Sequence, residues 1–139
     1  MIYTLGYQGL PFERFLEILQ QSEIEVVIDV RSKPYGRAFL YNRKHLEEVL
    51  PKQNILYWYK GDLLGGFSAI APEGLEWLAG CADRFRSLLL CFEAKPCECH
   101  RHYALALDLI GRGIEVHHLN HAGEVTLASS LNRQSTLKF

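Results

Sequence analysis

The chain has 139 residues, 48% of them apolar, which suits one domain built around one core. A formal net charge of −1 excludes a global basic field for nucleic acid and leaves only a local patch as a route to such a partner. No apolar run approaches the roughly 20 residues that span a bilayer, and four cysteines in a chain this long do not read as a secreted disulfide framework. Reduced thiols, no membrane partner and a cytoplasmic location are therefore expected. Met1-Ile2-Tyr3-Thr4-Leu5-Gly6 also reads as strand and turn, with no leader segment before it.

In chain order, Ile2–Leu5 is a short apolar strand punctuated by Gly6 and Gly9. Pro11 opens a helix that carries Phe12, Phe15, Leu16 and Leu19 on one face. The β-branched run Val26-Val27-Ile28-Asp29-Val30 is a buried strand. Residues 31–42, rich in Pro, Gly and Arg, form a loop. Asn42 caps a helix with Leu46, Val49 and Leu50, and Pro51 is expected to end it. Ile55–Tyr59 is the third strand, Gly61 to Pro72 a loop, and Glu73 to Phe85 a helix. Leu88–Phe92 is the fourth strand, Cys99 to Gly111 a helix, and Ile114–Leu119 the fifth strand, entered through Gly113. A polar tail from Gly123 to Phe139 holds a short strand candidate at Glu124–Leu127.

Strand and helix alternate throughout. This predicts an α/β fold: a single three-layer domain over residues 1–139, with a mostly parallel five-stranded sheet and helices on both faces. Its core is expected over residues 2–119, with right-handed crossovers. Such sheets bind ligands beyond the carboxyl ends of their strands. The chemically unusual residues all fall there in sequence. Gly6 and Tyr7 follow the first strand, Asp29, Arg31 and Arg37 the second, Gly65 and Gly66 the third, Glu93 to Arg101 the fourth, and His118 and His121 the fifth.

Cys99-His100-Arg101 lies where a loop enters a helix. Free backbone N–H groups and the helix dipole favour an anion there, and the same field favours a reactive thiolate. Arg101 adds a planar fork suited to phosphate or carboxylate. The simpler alternative packs Cys99 as a small buried side chain and pairs Arg101 with Glu98 or Asp29. Cys91, Cys97, Cys99 and His100 also suggest structural zinc, but Cys97-x-Cys99 is not metal-finger spacing, and strand alternation sends His117 and His118 to opposite faces. An exchanging Cys97–Cys99 pair would be a strained disulfide. No metal and no cofactor is therefore expected. Asp29 ends an apolar strand, where a carboxylate is costly unless paired. With Arg31, Lys33 and Arg37 it reads either as an anion-recognition loop or as a structural Asp–Arg tie. Glu93 is placed as a general acid or base, or as a partner for the helix start. Gly65-Gly66 lacks a nucleotide fingerprint and permits a tight turn or a close ligand approach. Tyr57-Trp58-Tyr59 and Cys81 are read as core, whereas Tyr7, Tyr35 and Tyr41 on loops are available to stack on a base.

Together, Thr4-Leu5-Gly6-Tyr7, Asp29-Val30-Arg31-Ser32 with Pro34 and Arg37, Leu64-Gly65-Gly66, and Leu90-Cys91-Phe92-Glu93 with Pro96 and Cys99-His100-Arg101 resemble the domain-of-unknown-function family number 488. The likeness runs from about Ile2 to Leu119 and implies a soluble α/β domain with a pocket, but no particular reaction. A looser likeness to rhodanese-like domains rests on Asp-Val-Arg after a strand and a Cys loop before a helix, without the usual cradle between Cys and Arg. The leading expectation is an anion-binding, enzyme-like pocket at the carboxyl edge of the sheet. There Arg31, Arg37 and Arg101, with Asp29, Tyr7, Gly65 and Gly66, hold a small phosphate-bearing or other anionic ligand. Glu93 or His100 moves protons and Cys99 attacks. The rival expectation is a non-catalytic module that binds a nucleotide or nucleic acid with the same arginines. Oligomeric state is not readable from the chain.

Overall fold

A computed structural model of the protein describes residues 1–64, 72–94 and 105–129. One six-stranded sheet organises them, in the order β3-β2-β4-β1-β5-β6. The strands are β1 (Ile2–Gly6), β2 (Val26–Asp29), β3 (Leu56–Tyr59), β4 (Ser87–Cys91), β5 (Val116–Leu119) and β6 (Val125–Leu127). The first five are parallel, and β6 returns antiparallel on β5. The α/β reading holds, with the tail candidate at Glu124–Leu127 supplying the sixth strand. β1, β2 and β4 are buried at every position, which is why they read as near-continuous apolar runs, with Thr4, Asp29 and Ser87 as the polar exceptions. β3 and β6 are the edges. The Tyr57-Trp58-Tyr59 run expected in the core is half-buried at one of them.

Strand alternation sorts the apolar side chains onto two faces. Tyr3, Leu5, Val27, Leu88 and Leu90 meet helices α1 (Phe12–Gln21) and α2 (Arg43–Lys52). Ile2, Ile28, Leu89 and Val116 meet α4 (Pro72–Arg84) and α5 (Leu107–Gly111). Two short helices differ from expectation. A 3-10 turn, Phe39–Tyr41, interrupts the 31–42 loop, and α3 (Gly61–Leu64) opens the segment read as loop. Pro51 does not end α2; it sits inside its last turn, one residue before the end. A proline there forfeits only one hydrogen bond and still fits helical φ. The helix expected from Cys99 is described only from residue 105 onward, as a π turn at 105–106 that continues into α5.

Three helices feed their strands through one device. Glu23 (φ 55°), Asn54 (φ 60°) and Gly113 (φ 85°) each take the left-handed conformation just past a helix end. The following Ile donates its N–H back to a leucine carbonyl: Ile24 to Leu19 at 2.9 Å, Ile55 to Leu50 at 3.0 Å and Ile114 to Leu109 at 3.0 Å. The left-handed residue donates to the next carbonyl, at Gln20, Pro51 and Ile110 respectively. These are Schellman terminations, each closed by a Leu–Ile apolar pair. They set the helix exits at the amino edge of the sheet and leave the carboxyl edge to the loops.

β4 is central to that carboxyl edge. Its neighbours β1 and β2 both lead to helices on the α1–α2 face, whereas the chain after β4 leads to α5 on the other face. Connections that diverge from adjacent parallel strands open a crevice between their carboxyl ends.

Candidate functional site

Asp29 is the last residue of β2, beside Leu90 of β4 and Tyr59 of β3, and is fully buried. A carboxylate at that depth requires partners, and the chain supplies them within two residues. Asp29 Oδ1 accepts the backbone N–H of Arg31 at 3.1 Å and its Nε at 2.8 Å. Oδ2 accepts Arg31 Nη2 at 2.7 Å and the Tyr57 hydroxyl at 2.5 Å. The turn is a side chain bonding its own backbone two residues on, locked by a two-pronged guanidinium. Arg31 Nη2 also donates to the Tyr41 carbonyl at 2.7 Å, and the Tyr41 hydroxyl donates to the Leu10 carbonyl at 2.7 Å. The 31–41 loop is thus tied to β2 at one end and to the β1–α1 connection at the other.

The electrostatics follow the burial. Desolvation works against the Arg31 charge, but hydrogen bonding to Asp29 and its negative charge outweigh it, so the guanidinium is held more firmly protonated than usual. Burial first, and then the Asp29 charge, push the Tyr57 phenol above the ordinary tyrosine range. Burial, and then Tyr7, do the same to Tyr41. Tyr7 and Tyr41 stack at 4.5 Å between centroids, and the Arg31 guanidinium lies 5.1 Å from the Tyr7 ring centre. Phe92, just after β4, meets Tyr7 edge-on at 5.3 Å. Two of the rings read as candidates for a base therefore satisfy each other, and Tyr41 is buried.

Of the residues expected at the site, Tyr7, Asp29 and Arg31 come together directly. Arg31 is only 7% exposed and faces Asp29, the arrangement of the structural tie. Arg37 is exposed on the same loop, and its side chain makes no hydrogen bond or ion pair with another described residue. Glu93 is half-buried just after β4, where its carbonyl lies 3.9 Å from the Cys91 thiol. Gly65, Gly66, Cys97, Cys99, His100 and Arg101 lie outside the described residues. On the β5 side, His121 Nε2 bonds the Gly6 carbonyl at 2.8 Å, and His118 Nδ1 shares a 2.5 Å hydrogen bond with Thr4 Oγ1. Cys81 and Cys91 are buried as packed thiols, and burial raises the Cys81 pKa. Among the described residues, no three His, Cys, Asp or Glu side chains cluster as a metal site, and no helix is long and apolar enough to cross a membrane.

Three contributors were not singled out from the chain. The Tyr57 hydroxyl and the Tyr41 carbonyl complete the Asp29–Arg31 unit. Gly61 is the third: a Cβ there would sit 1.9 Å from the Arg31 carbonyl oxygen and 2.4 Å from the Tyr59 hydroxyl. Only glycine lets α3 start against the Arg31 backbone. The available signal was positional, since Gly61 follows a strand end and Tyr57 and Tyr59 alternate onto the face of Asp29.

The chain resembles the domain of unknown function DUF488, whose family model matches residues 11–70. That span is narrower than the Ile2–Leu119 likeness read from motifs. It contains Asp29, Arg31, Arg37, Tyr41, Tyr57 and Gly61, and it ends before Glu93 and Cys99-His100-Arg101. No curated protein and no solved structure matches the chain.

Proposed function

We propose that the protein binds a phosphate-like or other anionic substrate in an enzyme-like pocket at the carboxyl edge of the sheet. The observation that carries this reading is the Asp29–Arg31–Tyr57 unit, which braces the loop leaving β2 at the carboxyl edge of the sheet, the edge at which such folds bind ligands. A buried, fully engaged ion pair is a costly way to shape a loop, and here it holds a loop that carries exposed Arg37. In this reading Arg31, neutralised by Asp29, braces the loop, and Arg37 and Arg101 contact the anion. Tyr7 forms a wall, and Gly65 and Gly66 let the ligand approach the backbone. Cys99 is the nucleophile: its thiol proton passes to Glu93 or His100, the thiolate bonds to the substrate's electrophilic centre, and the bond to the leaving group breaks as that group takes the proton back.

Inorganic phosphate and pyrophosphate are the first probes. Either is expected to raise the melting temperature of the wild-type chain and to slow alkylation of Cys99 by iodoacetamide. Arg37→Gln and Arg101→Gln are expected to lose both effects, and Cys99→Ser to keep the thermal shift. Equal thermal shifts in wild type and both arginine variants would remove the pocket. Unprotected Cys99 alkylation in saturating anion would remove Cys99 from it.

A further inference from the structure

Residues 30–46 are the longest acid-free stretch of the chain, although the protein as a whole carries a net charge of −1. They hold Arg31, Lys33, Arg37, Arg43 and Lys44, five of its 15 basic residues. All but Arg31 are exposed. The same stretch carries Tyr35, 67% exposed, and Phe39, 75% exposed, the two most exposed large apolar side chains among the described residues. In sequence, cation and ring alternate at every second position: Lys33, Tyr35, Arg37, Phe39.

The rings are held outward by the fold. Tyr41 is anchored inward by its hydroxyl on Leu10 and its carbonyl on Arg31. Phe39 shares one 3-10 turn with Tyr41, and successive residues of such a turn point about 120° apart, so the anchor aims Phe39 away from the core. Asn42 Oδ1 accepts the Gly36 N–H at 2.8 Å, and the Pro34 carbonyl accepts the Arg43 N–H at 2.8 Å, which closes the loop on itself. Beside it, a groove of about 390 Å³ runs along the free edge of β3. There Arg43 lies 4.5 Å from the Tyr59 ring centre while pairing with Glu47 at 2.7 Å, and Lys60, the groove's cation left unneutralised among the described residues, lies 4.8 Å from the ring centre of Trp77. Tyr59 joins groove to loop through its hydroxyl, which donates to the Ser32 carbonyl at 3.2 Å.

We infer that residues 33–44 and the adjoining β3 groove form a binding track for single-stranded nucleic acid. Cations interleaved with stacking rings are the chemistry that takes a flexible phosphate backbone with unpaired bases. A duplex keeps its bases paired and offers no free ring faces, and an anionic membrane favours a contiguous apolar tip over rings separated by charges. The inference rests on the pocket proposed above in one respect: it names single-stranded nucleic acid as the source of the anion. Tyr35 and Phe39 are not among the residues assigned to that pocket.

The test is fluorescence anisotropy of a labelled single-stranded oligonucleotide with the full chain, across a salt series. Binding is expected to be tighter than for a duplex of equal length. Tyr35→Ala and Phe39→Ala should each weaken it about five- to 150-fold. Lys33→Gln should lower the slope of log affinity against log salt by about 0.7. All three side chains are exposed, so folding survives each change. Absence of oligonucleotide binding at low salt overturns the track. So does equal duplex affinity with no loss in the aromatic variants, or co-sedimentation with phosphatidylserine vesicles in place of oligonucleotide binding. A thermal shift with inorganic phosphate, run beside it, separates the two readings. Phosphate binding without oligonucleotide binding overturns the track alone, whereas oligonucleotide binding without phosphate binding overturns the pocket alone.

Discussion

Asp29 and Arg31 make the residue-scale case because each would be expensive without the other. Both side chains are almost fully removed from solvent, and their contact is two-pronged. Truncating one partner strands the other, so Asp29→Ala is expected to cost about 3–5 kcal/mol in urea unfolding. Replacing Arg31 with Met in the same chain should recover part of that loss, because no charge is then left buried alone. A double mutant as unstable as the sum of the two single ones would contradict the pairing. Tyr57 adds a pH signature. Its phenol is held above the ordinary value of 10.0, first by burial and then by the facing Asp29 charge. The folded chain therefore keeps that proton to higher pH than the unfolded chain does. Its stabilisation is complete below pH 10 and declines as pH climbs above it. Tyr41 adds to the same decline. Tyr57→Phe is expected to be less stable than wild type at neutral pH by about 1.5–3 kcal/mol and to lose less stability between neutral and alkaline pH. An unchanged alkaline slope in the variant would contradict this assignment.

At the scale of elements, glycine positions separate close packing from open surface. A Cβ at Gly61 collides with the Arg31 backbone, whereas one at Gly80, exposed within α4, meets nothing within 4 Å. Gly61→Ala is expected to destabilise by at least about 1–3 kcal/mol, and Gly80→Ala to stabilise by about 0.5–1 kcal/mol. Thermal denaturation of the two variants checks both signs, and a neutral Gly61→Ala would show that α3 is free to shift off the loop. The elements themselves were largely legible. The central strands announce themselves as mostly apolar runs, and the helices as 3.6-residue patterns with Pro11 and Gly113 at their bounds. The helix ends were less so. Glu23 and Asn54 adopt a conformation usually given to glycine, and only the repeated Leu-to-Ile spacing at 19–24, 50–55 and 109–114 marks them. Pro51 misled because a helix tolerates proline in its last turn when the following residues close the end.

For the whole molecule, strand order decides where chemistry can collect. Asp29 and Arg31 could be read as a pair because a carboxylate at the end of an apolar strand needs a cation close by. For Tyr57 and Gly61 position offered only a partial signal, because their contacts depend on the register between β2 and β3, which no local pattern encodes. Tyr7 follows β1 at the carboxyl edge, and its ring is engaged by Tyr41 and Arg31, a contact made across residues far apart in sequence. The same topology divides the molecule into two unlike edges. The amino edge holds the three helix-ending turns, and the carboxyl edge holds the braced loop and the exit from β4. The most direct measurement is therefore a backbone amide NMR titration of the full chain with pyrophosphate. The proposed pocket predicts saturable shifts centred on Tyr7, Arg31, Arg37 and Glu93, with Glu23, Asn54 and Gly113 at the opposite edge unmoved. Shifts that gather at the amino edge, or none at saturating pyrophosphate, would contradict it.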